Sequence, residues 1–162
     1  MKRFISILTA SLAVCASAAA NDGVEAFTPE GMERARDEFQ YSPVVRAGDY
    51  IFLAGVVAGV PPKKNGEPAE ITLESLEAAY DRAFARIAAI LEAAGADWSD
   101  VVEMTTFHTD LRGQGGAFMA AKKRYVSEPY PAWTAIDIDR LWPDAGLTEI
   151  KVVAYKPRQT SG

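Results

Sequence analysis

The stretch from Pro129 to Tyr155 constrains the fold more than any other part of the chain. It reads Pro-Tyr-Pro-Ala-Trp-Thr-Ala-Ile-Asp-Ile-Asp, then a Leu-Trp-Pro-Asp-Ala-Gly corner, then Leu-Thr-Glu-Ile-Lys-Val-Val-Ala-Tyr. Apolar residues alternate on both sides of a breaker segment holding Pro143 and Gly146, which is the pattern of two strands joined by a loop. Thr134, Ile136 and Ile138 fall on one face of the first strand, and Ile150, Val152 and Ala154 on one face of the second. These faces are expected to meet a core. Paired as a hairpin, the strands would place Trp133, Ala135 and Asp137 on the same sheet surface as Glu149, Lys151 and Val153, so that a tryptophan and a carboxylate share it.

The remaining elements follow from periodicity. Thr72 to Ala94 has Leu73, Leu76, Tyr80, Ala83, Phe84, Ile87, Ile90 and Leu91 at helical spacing, with Thr72 placed to cap the start and Gly95 to end it. Tyr41 to Gly59 predicts two short strands around the Gly48-Asp49 turn, with Gly55 marking a bend or a close backbone approach. Val60 to Glu70 is an exposed loop, Val101 to Leu111 a buried strand rich in β-branched residues, and Gly116 to Ser127 a second helix. Pro29 to Phe39 permits a short helix in an otherwise polar segment. The order predicts an α+β domain with two helices on one face of a mainly antiparallel sheet. The other face, bearing Thr, Val, Phe and Trp, is expected to pair sheet to sheet with further copies.

The 162 residues fit one domain. Met1 to Ala20 has the parts of a secretory signal peptide: Lys2 and Arg3, an apolar run from Phe4 to Val14, and a small-residue site at Ala18-Ala-Ala20. The expected organisation is a signal peptide at 1–20, a polar segment at 21–40, the domain at 41–156 and a frayed tail at 157–162, with a periplasmic or secreted location. An uncleaved membrane anchor and lipid attachment at Cys15 are the alternatives.

Cleavage after Ala20 removes the single cysteine, and with it disulfides and thiolate chemistry. It also removes Lys2 and Arg3 from the 17 basic residues, leaving 15 against 22 acidic ones, a net of −7. A nucleic-acid partner is unexpected at that charge, and no later stretch is apolar enough to cross a membrane. The single histidine, His108, lacks Cys or His companions at ligand spacing, so no metal is expected and a structural role is. Gly113-Gln-Gly-Gly116 reads as a flexible loop rather than an anion cradle.

Several blocks occur together and in order: Arg46-Ala-Gly-Asp-Tyr-Ile-Phe-Leu-Ala-Gly, Ala93-Ala-Gly-Ala-Asp-Trp-Ser-Asp-Val-Val, Thr105-Thr-Phe-His-Thr-Asp-Leu and Tyr130-Pro-Ala. In these the chain resembles the Rid or YjgF family, whose best-known members are the RidA reactive-intermediate deaminases, over about Tyr41 to Tyr155. The resemblance implies a chorismate-mutase-like α+β fold and a homotrimer whose sheets line a central barrel, with clefts between subunits. In the deaminase branch those clefts hydrolyse imines and enamines without metal or cofactor.

The resemblance also implies site residues. Tyr41 matches the family's pocket tyrosine, Tyr125 the tyrosine on its second helix, and Glu149 the carboxylate that holds the attacking water. Lys122 stands where the family has asparagine, and Gly55 and Ala135 complete the expected substrate-binding set. The family's arginine, which follows a Pro-Ala pair and grips the substrate carboxylate, is replaced by Trp133 after Pro131-Ala132.

Trp133 either fills the cleft or floors a pocket for a flat ligand, and Lys122 is a candidate to replace the lost charge. Glu149 has a plain alternative as the ion-pair partner of Lys151, and Tyr41 and Tyr125 one as interface packing. The expected activity is cofactor-free hydrolysis of an imine, enamine or related small electrophile by an atypical member of the family. A non-catalytic trimer that binds a small molecule or protein is the alternative.

Overall fold

The computed structural model describes residues 23–158. The signal-peptide expectation and the last four residues of the tail lie outside the described residues. Within them, strands β1 (Val24–Phe27), β2 (Val44–Ala47), β3 (Tyr50–Leu53), β4 (Val56–Gly59), β5 (Val101–His108), β6 (Ala132–Asp137) and β7 (Gly146–Tyr155) form one sheet. The helices are α1 (Glu33–Phe39), α2 (Leu73–Ala93) and α3 (Leu111–Tyr125).

The long helix forms as its sequence predicts. Thr72 Oγ1 accepts from Ser75 N at 3.1 Å and Ser75 Oγ accepts from Thr72 N at 2.8 Å, so two otherwise orphaned N–H groups are satisfied. Gly95 ends the helix at φ +75°. The apolar stripe of α2, with Tyr80, Phe84, Ile87 and Leu91 fully buried, packs on Ile51, Leu53, Met104, Ile150 and Val152 of the sheet and on Phe118 and Ala121 of α3. Arg46 is buried and ties this layer together, donating to Ala94 O at the end of α2 at 2.9 Å and to Lys156 O after β7 at 3.0 Å.

The sheet order β1-β2-β3-β7-β5-β6 corrects the expected hairpin. The strands on either side of the Pro143 corner do not pair: β5 lies between them, antiparallel to β7 and parallel to β6. A sequence pattern fixes which residues share a strand face but not which strand lies beside it. In the observed register Trp133 lies level with Met104 and Ala135 with Thr106. Met104 and Thr106 are buried, so the Trp133 face is the helix-covered one, while Thr134 and Ile136 are exposed on the other. The face expected to meet the core is thus the open one. For β7 the expectation holds, with Ile150, Val152 and Ala154 buried.

Two further boundaries differ from the expected ones. Helix α3 begins at Leu111, not Gly116, because Asp110 accepts from Gly113 N at 2.9 Å and Asp137 accepts from Leu111 N at 2.8 Å. Gly113 to Gly116 are therefore helical, not a loop. The polar N-terminal segment contributes β1 at the sheet edge as well as the short helix.

The run Tyr50 to Gly59 is two strands laid one after the other along the edge of β7 that β5 does not occupy. Between the pairs Phe52↔Val153 and Val56↔Ile150, three residues face two, which is a bulge. The extra residue switches the buried parity from Ile51 and Leu53 to Val56 and Ala58. Gly55 is the last residue of this bulge.

Candidate functional site

The residues expected to form one site fall into two groups. The first is built at the bulge. Glu149 on β7 lies opposite Phe107 of β5 and Val57 of β4, on the open face of the sheet. A Cβ placed on Gly55 would overlap the Glu149 carboxylate, so the missing side chain is what lets that carboxylate lie against the strand. Glu149 is half-buried. Lys151, two residues on along the same face, makes no ion pair with it, and Glu149 takes part in none among the described residues. A cavity of about 180 Å³ lies beside β4, bounded by Tyr41, Pro43, Gly55, Val57, Arg86 and Ile90. Gly55 is common to the two features: it borders this cavity with Tyr41 and lies against the Glu149 carboxylate, which is not among the residues that bound the cavity.

The second group surrounds Trp133, on the opposite face. The indole N–H donates to Thr106 Oγ1 at 3.0 Å, and the ring stacks on Phe118 with centroids 5.8 Å apart and planes 26° apart. Lys122 Nζ lies 3.8 Å from the ring centroid. Burial lowers the pKa of Lys122 from its ordinary value. Ala135 lies two residues along from Trp133 on the same edge strand and is exposed. Within one protomer, then, the indole and the Glu149 carboxylate stand on different faces. The expectation of a shared surface fails because β6 joins β5 in parallel instead of folding back onto β7.

Tyr125 belongs to neither group. Its hydroxyl donates to Asp81 Oδ1 at 3.1 Å, and its ring stacks on Phe84 at 5.4 Å, so it ties α3 to α2. Burial, and then the hydrogen bond to Asp81 and its charge, raise its pKa. Its contacts are therefore between two helices of one chain, which is neither a cleft position nor the interface packing expected as the alternative.

Sequence reasoning missed what stands behind Trp133. Thr106 Oγ1 is 2.8 Å from His108 Nε2, His108 Nδ1 is 3.0 Å from Thr148 Oγ1, and Thr148 Oγ1 is 3.0 Å from Tyr80 Oη, which donates to Gln114 Oε1 at 3.1 Å. With the indole N–H donating at one end and Tyr80 at the other, an imidazole protonated on Nδ1 lets every hydroxyl in the chain donate once. Such a histidine is neutral, and its pKa is lowered by burial, with the charge of Asp137 a smaller opposing effect. Burial likewise raises the pKa of Tyr80. His108 has the structural role expected of it. The signal available in the sequence was the polar pattern Thr106, His108, Thr148 at positions that register as buried neighbours.

A larger cavity, about 550 Å³, lies elsewhere, between residues 60–71 and 139–147. Val60, Pro62, Ile71, Leu141 and Leu147 make it mostly hydrocarbon, and the charges of Arg140 and Asp144 at its margin face each other at 3.8 Å. It contains none of the expected site residues. Among the described residues no helix is long and apolar enough to cross a membrane. No group of three or more His, Cys, Asp or Glu side chains is placed to hold a metal ion among them.

Comparison with known proteins accords with this architecture. Residues 32–156 match the family described as Endoribonuclease L-PSP. The chain is 35% identical over 133 residues to the RutC family protein YjgH of Escherichia coli, covering 81% of this chain and 94% of that protein. The solved structure of protein YJGH superposes with a TM-score of 0.65 at 31% identity, over 85% of this chain and 99% of the other. RidA from an Antarctic Psychrobacter gives a TM-score of 0.58 at 31% identity, over 71% and 87% of the two chains. The chloroplastic Reactive Intermediate Deaminase A of Arabidopsis thaliana is 32% identical over 117 residues, covering 70% of this chain and 57% of that protein. With the sheet, its helices and the ordered sequence blocks all in agreement, the chain belongs to the Endoribonuclease L-PSP family, the Rid or YjgF family that those blocks resemble, and has its chorismate-mutase-like fold.

Proposed function

We propose that this protein is a cofactor-free hydrolase of small imines, enamines or related electrophiles, with Glu149 managing the attacking water. One observation carries the proposal: the Glu149 carboxylate rests in space left by Gly55, half-buried and with no ion-pair partner among the described residues. A carboxylate so placed accepts a proton from water as the oxygen bonds to the C=N carbon and returns it to the nitrogen, giving a neutral carbinolamine. It then takes the carbinolamine hydroxyl proton and delivers it to the same nitrogen as the C–N bond breaks, leaving a carbonyl and an amine or ammonia. Tyr41 borders the small cavity that reaches Gly55, and in this reading it orients the substrate.

The Trp133 group lies too far around the sheet to serve the same Glu149, so in this reading a neighbouring copy supplies it. Exposed Tyr50, Phe52 and Tyr155 on the open face support a homotrimer packed sheet to sheet. Trp133 and Lys122 then bring a flat ring and an ammonium to the cleft in place of the family's guanidinium. A 2-imino acid is accordingly a poor substrate: losing a charge-assisted pair costs on the order of 2 kcal/mol, or tens-fold in rate or affinity. We place the mature protein in the periplasm or outside the cell, on the strength of Met1 to Ala20. Its net charge of −5 as written argues against an RNA substrate.

The test is a panel of imines and enamines generated in situ, with ammonia or carbonyl release as the readout. Turnover that Glu149→Gln abolishes, in a protein of unchanged assembly, supports the reading; rapid turnover of 2-iminopropionate overturns the specificity part. The separation of Trp133 from Glu149 within a protomer favours one other reading, a non-catalytic trimer that binds a small molecule or protein. Ligand-induced thermal stabilisation without chemistry on any member of the panel would identify it.

A further inference from the structure

We infer that Arg86 is the anion-binding residue of the Glu149 half-site, and that the ligand is a short organic acid whose carboxylate is separated from its electrophilic carbon by a spacer. The inference rests on the hydrolase reading for the role of the electrophilic carbon, but not for the binding of the acid.

Arg86 lies on α2 one helical turn after Arg82, yet the two arginines are used differently. Arg82 donates to Gly59 O at 3.1 Å and so pins the end of β4. Arg86 is exposed, forms no ion pair among the described residues, and bounds the small cavity together with Tyr41 and Gly55. Glu30 lines the neighbouring groove that Arg86 also borders, but stays beyond ion-pair distance. A guanidinium with its donors unspent, facing a phenol across a small recess, is suited to a carboxylate, which it can grip through two parallel N–H bonds. The recess of about 180 Å³ has the volume of roughly six waters at about 30 Å³ each, enough for a short acid and too little for a polymer.

The fold also sets the spacing within the ligand. Arg86 comes from α2, on the covered side of the sheet, whereas Glu149 projects from the open side and meets the strand at Gly55. An acid gripped by Arg86 must pass the edge of β4 to offer a carbon to Glu149. In a 2-imino acid the carboxylate is bonded to the reacting carbon and leaves no span between the two groups; an acid with two or more methylenes between them provides one.

The experiment measures binding, not turnover, on the full-length protein. 4-Oxopentanoate serves as the spaced probe and 2-oxopropanoate as the short one, each titrated by calorimetry against wild type, Arg86→Gln, Arg86→Lys and Glu149→Gln. Expected are saturable binding of 4-oxopentanoate that is tighter than that of 2-oxopropanoate, a loss of at least tenfold in Arg86→Gln, a smaller loss in Arg86→Lys, and retention in Glu149→Gln. Affinity within twofold of wild type in Arg86→Gln overturns the inference, as does the absence of binding to wild type at millimolar concentration. If Arg86-dependent binding is found but no imine is turned over, the inference stands and the hydrolase reading falls.

Discussion

The ammonium of Lys122 stands 3.8 Å above the centroid of the Trp133 ring. A cation of helix α3 is thus held by an aromatic face of strand β6. A Lys122→Ala change should cost about 1 kcal/mol, the scale of a partly desolvated cation–π contact. The urea midpoint and the indole N–H resonance of Trp133 report it: stability falls and that resonance shifts, while the other two tryptophans stay in place.

His108 predicts a pH dependence of stability. Its folded pKa is lowered by burial, so in a window below the ordinary value of 6.5 the unfolded chain binds a proton that the folded one refuses. Stability is therefore full above about pH 6.5 and falls as the pH drops from there toward the lowered folded value. His108→Gln should remove that slope. Because the chain has a single histidine, the part of the slope in urea midpoints between pH 7.5 and 5.5 that His108→Gln removes belongs to it.

Gly55→Ala should fold and still lose function. The added methyl meets Oε1, Cδ and Cγ of Glu149, side-chain atoms and not backbone, so the carboxylate side chain must take another rotamer while the strand stays in place. Thermal midpoints near wild type with turnover as low as in Glu149→Gln are the expected result. A Gly55→Ala protein with normal turnover would separate Glu149 from the chemistry.

Arg46→Ala should be the most damaging of these changes to stability. The side chain is buried, and its removal leaves the carbonyls of Ala94 and Lys156 without donors. Two hydrogen bonds to a charged group lost together imply about 3 kcal/mol or more. Denaturant unfolding measures it directly, and Arg46→Lys should recover only part, since one ammonium lacks the fork that reaches both oxygens.

Much of this was legible in the sequence, and the reasons differ by element. Helix α2 could be read nearly to the residue because Thr72, the apolar stripe and Gly95 all specify it locally. The Gly48-Asp49 turn and the exceptional position of Gly55 were legible for the same reason. Strand β6 was not: its alternation is clear, but nothing in Ala132 to Asp137 encodes that its neighbour is β5 in parallel, and the face assignment of Trp133 followed the wrong partner. The start of α3 was hidden by Gly113, Gly115 and Gly116, poor helix formers whose cost is offset by caps from Asp110 and the distant Asp137. Glu149 and Tyr41 were found through resemblance and Gly55 as a glycine inside a strand run, whereas Arg86, on the solvent flank of a helix, carried no local mark.

Strand β5 stands between the two groups of site residues and shows one to each side: Thr106 and His108 toward the indole, Phe107 toward the carboxylate. The two surfaces of one strand therefore serve separate neighbourhoods, so a substitution at Thr106 or His108 and one at Phe107 meet different partners.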